Sequence, residues 1–195
     1  MNKDMAYLLG ALRDGSVFYD KASRNYKVIW YENNVDWLVN SIASRIKIVF
    51  NKEPRIEEYK KGYHRVLVSS QKIYNIFVND FGFVAPQEKW DTPKSIRKAT
   101  KGIIANYVAG FFDAEGDVNP VKYMIGISQK NLESLEFIKN WLYKNNIQSS
   151  RIFVADKKSG TRRFYITSKE NFELFVNLVK FEHPTKIKKM DNLLQ

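Results

Sequence analysis

Cysteine is absent from the 195 residues, which excludes a disulfide framework and any thiolate metal site. Histidine occurs only twice, as His64 and His183, too few for a multi-histidine zinc centre. No apolar run approaches the roughly 18 residues of a membrane span, and no secretory signal opens the chain. An intracellular, cytoplasmic protein is therefore expected. Acidic residues are also in short supply, with 21 Asp and Glu against 32 Lys and Arg, a formal net charge of +11. Such an excess favours a polyanionic partner, most simply nucleic acid. Because 44% of residues are hydrophobic and 14% aromatic, the chain is a folded protein rather than a basic disordered tail. Its length suits one large domain or two half-size ones.

The organising stretch is Val108-Ala109-Gly110-Phe111-Phe112-Asp113-Ala114-Glu115-Gly116. Read as a helix, it carries small residues where a second helix could approach closely. It ends in an acid followed by glycine, a natural left-handed terminator. Glu115 is then held at a helix tip beside outward-pointing carbonyls, an all-oxygen set suited to a hard cation such as Mg²⁺. About one hundred residues earlier, Tyr7-Leu8-Leu9-Gly10-Ala11-Leu12-Arg13-Asp14-Gly15 has the same grammar.

The rest of the chain repeats as well. The first half reads α-β-β-α-β-β-α: a helix over 5–14, strands at 16–19 and 26–31, and a helix from an Asn34 cap to Phe50. A strand pair at 54–59 and 63–68 follows, then a helix capped by Ser69 or Ser70. Residues 83–101, with Pro86 and Pro93, form a linker between halves 1–82 and 102–195. In the second half, strands are expected at 117–120, 122–128, 151–155 and 162–167, and helices at 131–145 and 168–180. Tyr7-Leu8-Leu9-Gly10 overlays Tyr107-Val108-Ala109-Gly110, and Asn34 to Leu38 parallels Asn131 to Leu135. This is an internal duplication.

The second stretch resembles the LAGLIDADG motif at nearly every position, and the first resembles a shorter version of it. Two such motifs in one chain resemble a monomeric LAGLIDADG homing endonuclease across essentially its whole length. The resemblance implies an α+β fold in which two αββαββα halves are related by a pseudo-twofold axis. Their two four-stranded antiparallel sheets would form a DNA-binding saddle. It implies a site-specific, staggered double-strand cut with 3′ overhangs, two or three Mg²⁺ ions (Mn²⁺ substituting), a long specific DNA site and an intron-encoded monomer. The alternative is a LAGLIDADG-derived RNA maturase or a non-cleaving DNA-binding protein.

By motif match Asp14 and Glu115 are the metal ligands, with the carbonyls of Arg13 and Ala114 as helpers. Asp113 is read as structural, and Asp117 as solvent-exposed. Gln129 and, in the duplicate, Glu32 occupy the family's polar position beside the metals. The family also places a lysine from each half in the pocket. Lys94 or Lys98 in the linker and Lys186 or Lys188 near the end are candidates, and Lys98 and Lys188 complete the expected catalytic set. The first motif departs from the pattern, with four residues from Gly10 to Asp14 against five from Gly110 to Glu115. It also carries Arg13 where a small residue is expected, so its helix should be shifted or shortened near the glycine. Arg24, Lys27, Arg55, Arg65, Lys122, Lys130, Arg151, Lys157, Arg162 and Arg163, on expected strands and turns, are the candidates for phosphate and base contacts.

Overall fold

The computed structural model describes residues 1–119 and 121–194. Pro120, at the end of an expected strand, and Gln195, the last residue of the expected second half, lie outside them.

Helix α1 (Lys3–Ala11) starts where the Asn2 side chain accepts from Met5 N, and it tightens into a 3-10 turn at Leu12–Asp14. Strands β1 (Gly15–Asp20) and β2 (Asn25–Glu32) follow. Helix α2 runs through Val35–Trp37, Leu38–Ala43 and Ser44–Phe50, its middle wound as a π-helix. Strands β3 (Arg55–Lys60) and β4 (Tyr63–Ser69) lead into α3, which is Gln71–Asn75 continued by Ile76–Asp80. A 3-10 turn, Gln87–Lys89, and a short helix α4 (Lys94–Arg97) bridge to α5 (Lys101–Glu115). The second half continues with β5 (Gly116–Asn119), β6 (Met124–Gln129), α6 (Leu132–Tyr143), β7 (Phe153–Asp156), β8 (Thr161–Ile166) and α7 (Lys169–Leu178). Helix α8 (Pro184–Leu194) closes the described chain. Side chains of Asn34, Ser70, Asn131 and Ser168 accept from backbone N–H groups three residues on, so the capping residues start these helices as expected.

The strands form two antiparallel sheets with the same order, β1-β2-β4-β3 and β5-β6-β8-β7. Alternation sorts the residues of each. Val17, Val28, Trp30, Val66 and Val68 turn into the core from the first sheet, as do Val118, Ile125, Ile127, Phe164 and Ile166 from the second. The opposite, outer faces carry Ser16, Lys27, Tyr31, Arg65 and Arg55 in one sheet, and Asp117, Ser128, Arg163 and Tyr165 in the other, as the cross-strand registers require.

Between the sheets' inner faces, α1 packs against α5 glycine to backbone. A Cβ on Gly10 would overlap the Tyr107 carbonyl oxygen and lie 2.7 Å from Phe111 N. One on Gly110 would overlap the Tyr7 carbonyl oxygen and lie 2.9 Å from Ala11 N. The reciprocity of these contacts is the pseudo-twofold relation expressed in atoms, and only glycine permits it.

Several local expectations are corrected. The glycines after the acids are not left-handed terminators: Gly15 and Gly116 are both extended, each the first residue of a strand. Space is what they conserve, because a Cβ on Gly15 would meet the Ile29 carbonyl and Leu12, and one on Gly116 the Phe112 ring. The first motif adjusts after Ala11, not at Gly10. With a rise of about 1.5 Å per α-helical residue and about 2.0 Å per 3-10 residue, Gly10 to Asp14 and Gly110 to Glu115 both span about 7.5 Å. One residue fewer reaches the same depth. The expected strand at 151–155 begins at Phe153 instead, which leaves Arg151 outside it.

Candidate active site

The two acids come together because the helices that carry them end side by side. Asp14, Glu115, Gln129, Gln87, Glu88, Arg13, Lys130 and Thr161 line one cavity of about 170 Å³. A second, of about 270 Å³, is lined by Glu32, Asn33, Ala114, Gly116, Asp117, Val118, His183, Thr185, Lys186 and Lys189. Asp14 also borders a third, of about 360 Å³, with Tyr31, Tyr59, Lys60 and Tyr63, open to the outer face of the first sheet. Asp14 thus also faces outer-face side chains of the first sheet, while Glu115 lies beside Gln129 of the second.

Burial, with the charge of Asp14 added to it, pushes the Glu115 carboxyl up to about 7; Arg13, the Gln129 hydrogen bond and Lys186 act against the rise. Asp14 is raised to about 6 by burial and by the charge of Glu32, opposed by Lys186. Asp14 itself is open to water at its tip. Two acids made reluctant to ionise by burial and by a neighbouring carboxylate, Glu32 for Asp14 and Asp14 for Glu115, are a setting that a cation would relieve. The donors are all oxygen, the chemistry of a hard divalent ion. Among the described residues no group of three or more His, Cys, Asp or Glu side chains gathers as a metal cage.

Gln129 Nε2 donates to Glu115 Oε1 at 3.0 Å, the position the repeat anticipates. Glu32 lies in the other cavity, its Oε2 3.6 Å from His183 Nε2. Burial pushes Glu32 up, but the bonds from His183 and Asn33 N–H win and hold it below its ordinary value. Asp113 is fully buried and structural: it accepts from Tyr7 Oη at 2.5 Å, and from the backbone N–H of Glu182 at 2.7 Å and of His183 at 3.1 Å. Asp117 is not simply exposed, since Oδ1 lies 3.3 Å from Arg163 Nη2.

Of the candidate lysines, Lys186 reaches the motif helix end, whereas Lys98 and Lys188 of the expected catalytic set do not. Lys98 is exposed just beyond α4, and Lys188 is exposed on α8; neither lines a cavity at the acids. Residues 186–189 are helical, not a solvated tail. At three residues' spacing Lys186 and Lys189 share the inward face and Lys188 turns away. Lys186 Nζ donates to the carbonyls of Phe112 and Asp113, both at 2.6 Å. Burial lowers its pKa to about 8 against the upward pull of Asp113, Glu32 and Glu115.

Arg13 explains itself once the linker is in place. The residue is 2% exposed, and its guanidinium donates to Trp90 O at 2.5 Å, to Asp91 O at 3.0 Å and to Tyr107 Oη at 2.6 Å. It also stacks over the rings of Phe83, Tyr107 and Phe111. The arginine that breaks the small-residue pattern is the linker's anchor. Its carbonyl, expected near a metal, accepts from Gln87 Nε2 at 2.6 Å. Ala114 lines the second cavity. Gln87 was not distinguishable in a polar linker by composition; its only signal is the repeat spacing that pairs it with Lys186.

Of the basic candidates, Lys27, Arg55, Arg65 and Arg163 lie on the outer faces. Lys27 pairs with Asp20 at 2.6 Å and Arg65 with Glu57 at 2.6 Å; the Arg55 side chain, 75% exposed, lies 3.6 Å from the same Glu57. Arg163 donates to Ser128 Oγ at 2.6 Å. Arg24, Lys122 and Lys157 are exposed in turns, and Lys130 borders the acid cavity. Arg162 and Arg151 do not join the outer face. Arg162 has the parity of Phe164 and donates to Lys130 O at 2.9 Å. Arg151 lines a separate hollow with Leu132 and Lys139 of α6.

The LAGLIDADG-like domain family matches residues 102–180. The chain is 36% identical over 194 residues to the homing endonuclease I-ApeI of Aeropyrum pernix, covering 96% of this chain and 86% of that one. Its fold is similar to that of I-DmoI solved in complex with DNA and Mn, with a TM-score of 0.73, 22% identity, and 93% of this chain and 98% of that chain covered. The N-terminal LAGLIDADG domain of DUF199/WhiA also matches, with a TM-score of 0.62, 14% identity, and 94% and 85% of the two chains covered. With both motif helices, their acids and the duplicated sheets in place, the chain belongs to the LAGLIDADG homing endonuclease family.

Proposed function

We propose that the protein is a Mg²⁺-dependent, site-specific DNA homing endonuclease that cuts both strands of a long duplex site, leaving 3′ overhangs. The observation that carries this reading is the pairing of Asp14 and Glu115. They sit at the tips of two helices in reciprocal glycine contact and line one cavity, and Asp14 also borders a hollow at the outer face of the first sheet. I-ApeI, 36% identical, is a homing endonuclease, and I-DmoI structures hold DNA with Mn, Mg or Ca.

Asp14 and Glu115 would hold the divalent ions, which when bound supply charge neutralisation at the scissile phosphate and an activated water. Gln129 fixes one Glu115 oxygen. Lys186 holds the Phe112 and Asp113 carbonyls at the helix end, so Glu115 projects from a rigid tip. Glu32, kept ionised by its neighbours, is an acceptor that orders water in the second cavity. On the outer faces, Lys27, Arg55, Arg65 and Arg163 provide phosphate neutralisation and guanine readout.

The test is selection of bound duplexes from a random-sequence pool, followed by incubation of plasmids carrying them with Mg²⁺ or Ca²⁺. Linearisation in Mg²⁺ by wild type, and its loss in Glu115→Gln, is the expected result. Tight binding with no cut in either metal would move the reading to a non-cleaving DNA-binding protein.

A further inference from the structure

Gln87 Nε2 donates to Arg13 O at 2.6 Å and to Gly15 O at 3.0 Å, the two carbonyls that flank Asp14. Both partners only accept, so it is the amide nitrogen that must face them. At the other tip, Lys186 Nζ donates to two successive carbonyls, of Phe112 and Asp113, just before Glu115. Gln87 and Lys186 stand about one hundred residues apart, the spacing that separates Tyr7 from Tyr107, and each comes after the helix that follows its half's last strand. They also border different cavities, Gln87 the one with Gln129, Lys186 the one with Glu32. The same task is done once by a neutral amide and once by an ammonium.

The need for it is local. Asp14 ends a three-residue 3-10 turn, whose hydrogen bonds are poorer than those of an α-helix and whose last carbonyls lack helical partners. Gln87 satisfies one of these carbonyls, Arg13 O, from outside, together with the first carbonyl of β1, Gly15 O. It is itself held in place, because Trp90 N donates to Gln87 O at 2.9 Å, and the carbonyl of that buried tryptophan accepts from Arg13. Turn and linker therefore grip each other through two opposed side chains, Arg13 outward and Gln87 inward.

We infer that Gln87 is the positioning residue for Asp14, the neutral counterpart of Lys186 at the Glu115 tip, and that its loss slows the cut at its own cavity and spares the other. The inference rests on the endonuclease reading for its strand effect, but not for its positioning effect. Two readouts separate them. The first is hydrogen exchange without DNA, at Gly15 N–H, which bonds Leu12 O, and Gly116 N–H, which bonds Phe112 O. Gln87→Ala should accelerate exchange at Gly15 by about tenfold and leave Gly116 unchanged, and Lys186→Met should do the reverse. The second is single-turnover cleavage of a supercoiled plasmid bearing a site selected by wild type, with the nicked strand identified by primer extension on each strand.

Gln87→Ala should slow one strand by about 10–100-fold, the range for losing a group that orients a ligand. Nicked circles then accumulate, cut in one strand, whereas Lys186→Met accumulates circles nicked in the opposite strand. Gln87→Lys, which restores a two-carbonyl donor, should recover most of what Gln87→Ala loses. Equal slowing of both strands, no recovery with lysine, or Gly15 and Gly116 exchanging alike in Gln87→Ala would overturn the inference. A wild-type protein that cuts nothing would remove the endonuclease reading, and the exchange arm would still decide the positioning role.

Discussion

Tyr7 Oη donates across the helix pair to Asp113 Oδ2 at 2.5 Å, and Trp37 Nε1 donates to the same phenol at 2.8 Å. Asp113 also collects the N–H groups of Glu182 and His183. A tyrosine of the first motif and the approach to α8 thus meet on one fully buried carboxyl, with a tryptophan of α2 bonded to that tyrosine. Burial raises the pKa of Asp113 even as these donors oppose the rise.

Replacing Tyr7 by Phe removes a donor from that carboxyl and an acceptor from Trp37, without changing the ring's packing. The expected loss is about 2 kcal/mol, the scale of a hydrogen bond to a charged group. In a chain of this length that lowers the unfolding midpoint by about 5 °C, to be read by circular dichroism. An unchanged midpoint would show that the network contributes no net stability.

Gly110→Ala and Gly10→Ala place a methyl group on a backbone carbonyl, which no side-chain rotamer can relieve. Either should cost about 3 kcal/mol or more as the helices are forced apart. Gly102→Ala is the internal control, in the same α5 but with nothing nearer than Lys3 Cε at 4.0 Å. It should be neutral or stabilising by up to about 1 kcal/mol, the gain in helix propensity. Urea denaturation of the three variants distinguishes contact from propensity.

In the metal-free protein, stability should fall as pH rises from about 4 to about 7. Asp14, at about 6 against 3.8, and Glu115, at about 7 against 4.5, have folded-state values above their ordinary ones. Over that window the folded form therefore binds more protons than the unfolded one, and the slope is negative. Glu115 sets the size, on the order of 2 kcal/mol, with the water-screened Asp14 adding less. Glu115→Gln should flatten the profile and raise the melting temperature at pH 8 while abolishing cleavage. Mg²⁺ or Ca²⁺ should stabilise wild type at pH 8 and not the mutant. A metal-free profile that rises with pH would refute the assignment.

Duplex binding should weaken steeply with salt. Removing one phosphate contact lowers the slope of log K against log salt by about 1. Arg55→Ala, on the outer face, should show that change. Arg151→Ala, on the far side of the second sheet, should not. Fluorescence anisotropy with random-sequence duplex from 50 to 300 mM salt, about the range in which counterion release dominates, makes the comparison. Equal slopes for the two variants would mean that the outer face is not the binding face.

The motif helices, the duplication and the sheet faces were legible because they repeat, in glycine position and in two-residue alternation. The acids were legible for the same reason. What stayed hidden depends on contacts between segments far apart in sequence. Arg13 reads as a defect in a small-residue motif until Trp90 and Asp91 are seen to accept its protons. Lys186 and Lys188 differ only by helical phase, and no periodicity announced α8 strongly enough to fix it. Gly15 and Gly116 suggested left-handed caps, because an acid-glycine pair looks the same whether glycine supplies a positive φ or merely an absent Cβ. Lys98 sat at a plausible distance along the chain, but a glutamine eleven residues earlier does the holding.

The reciprocal glycine contact also governs how the chain must come together. Helix α1 is buried along most of its length, and the surface that buries it, α5, is synthesised about one hundred residues later. Until then the nascent first half exposes a stripe of Tyr7, Leu8 and Ala11 with no mate. Such distant pairing makes for slow assembly and a long window in which two nascent chains could exchange first helices. A ribosome-stalled chain ending before Lys101 should therefore recruit chaperones, and release of α5 should dismiss them.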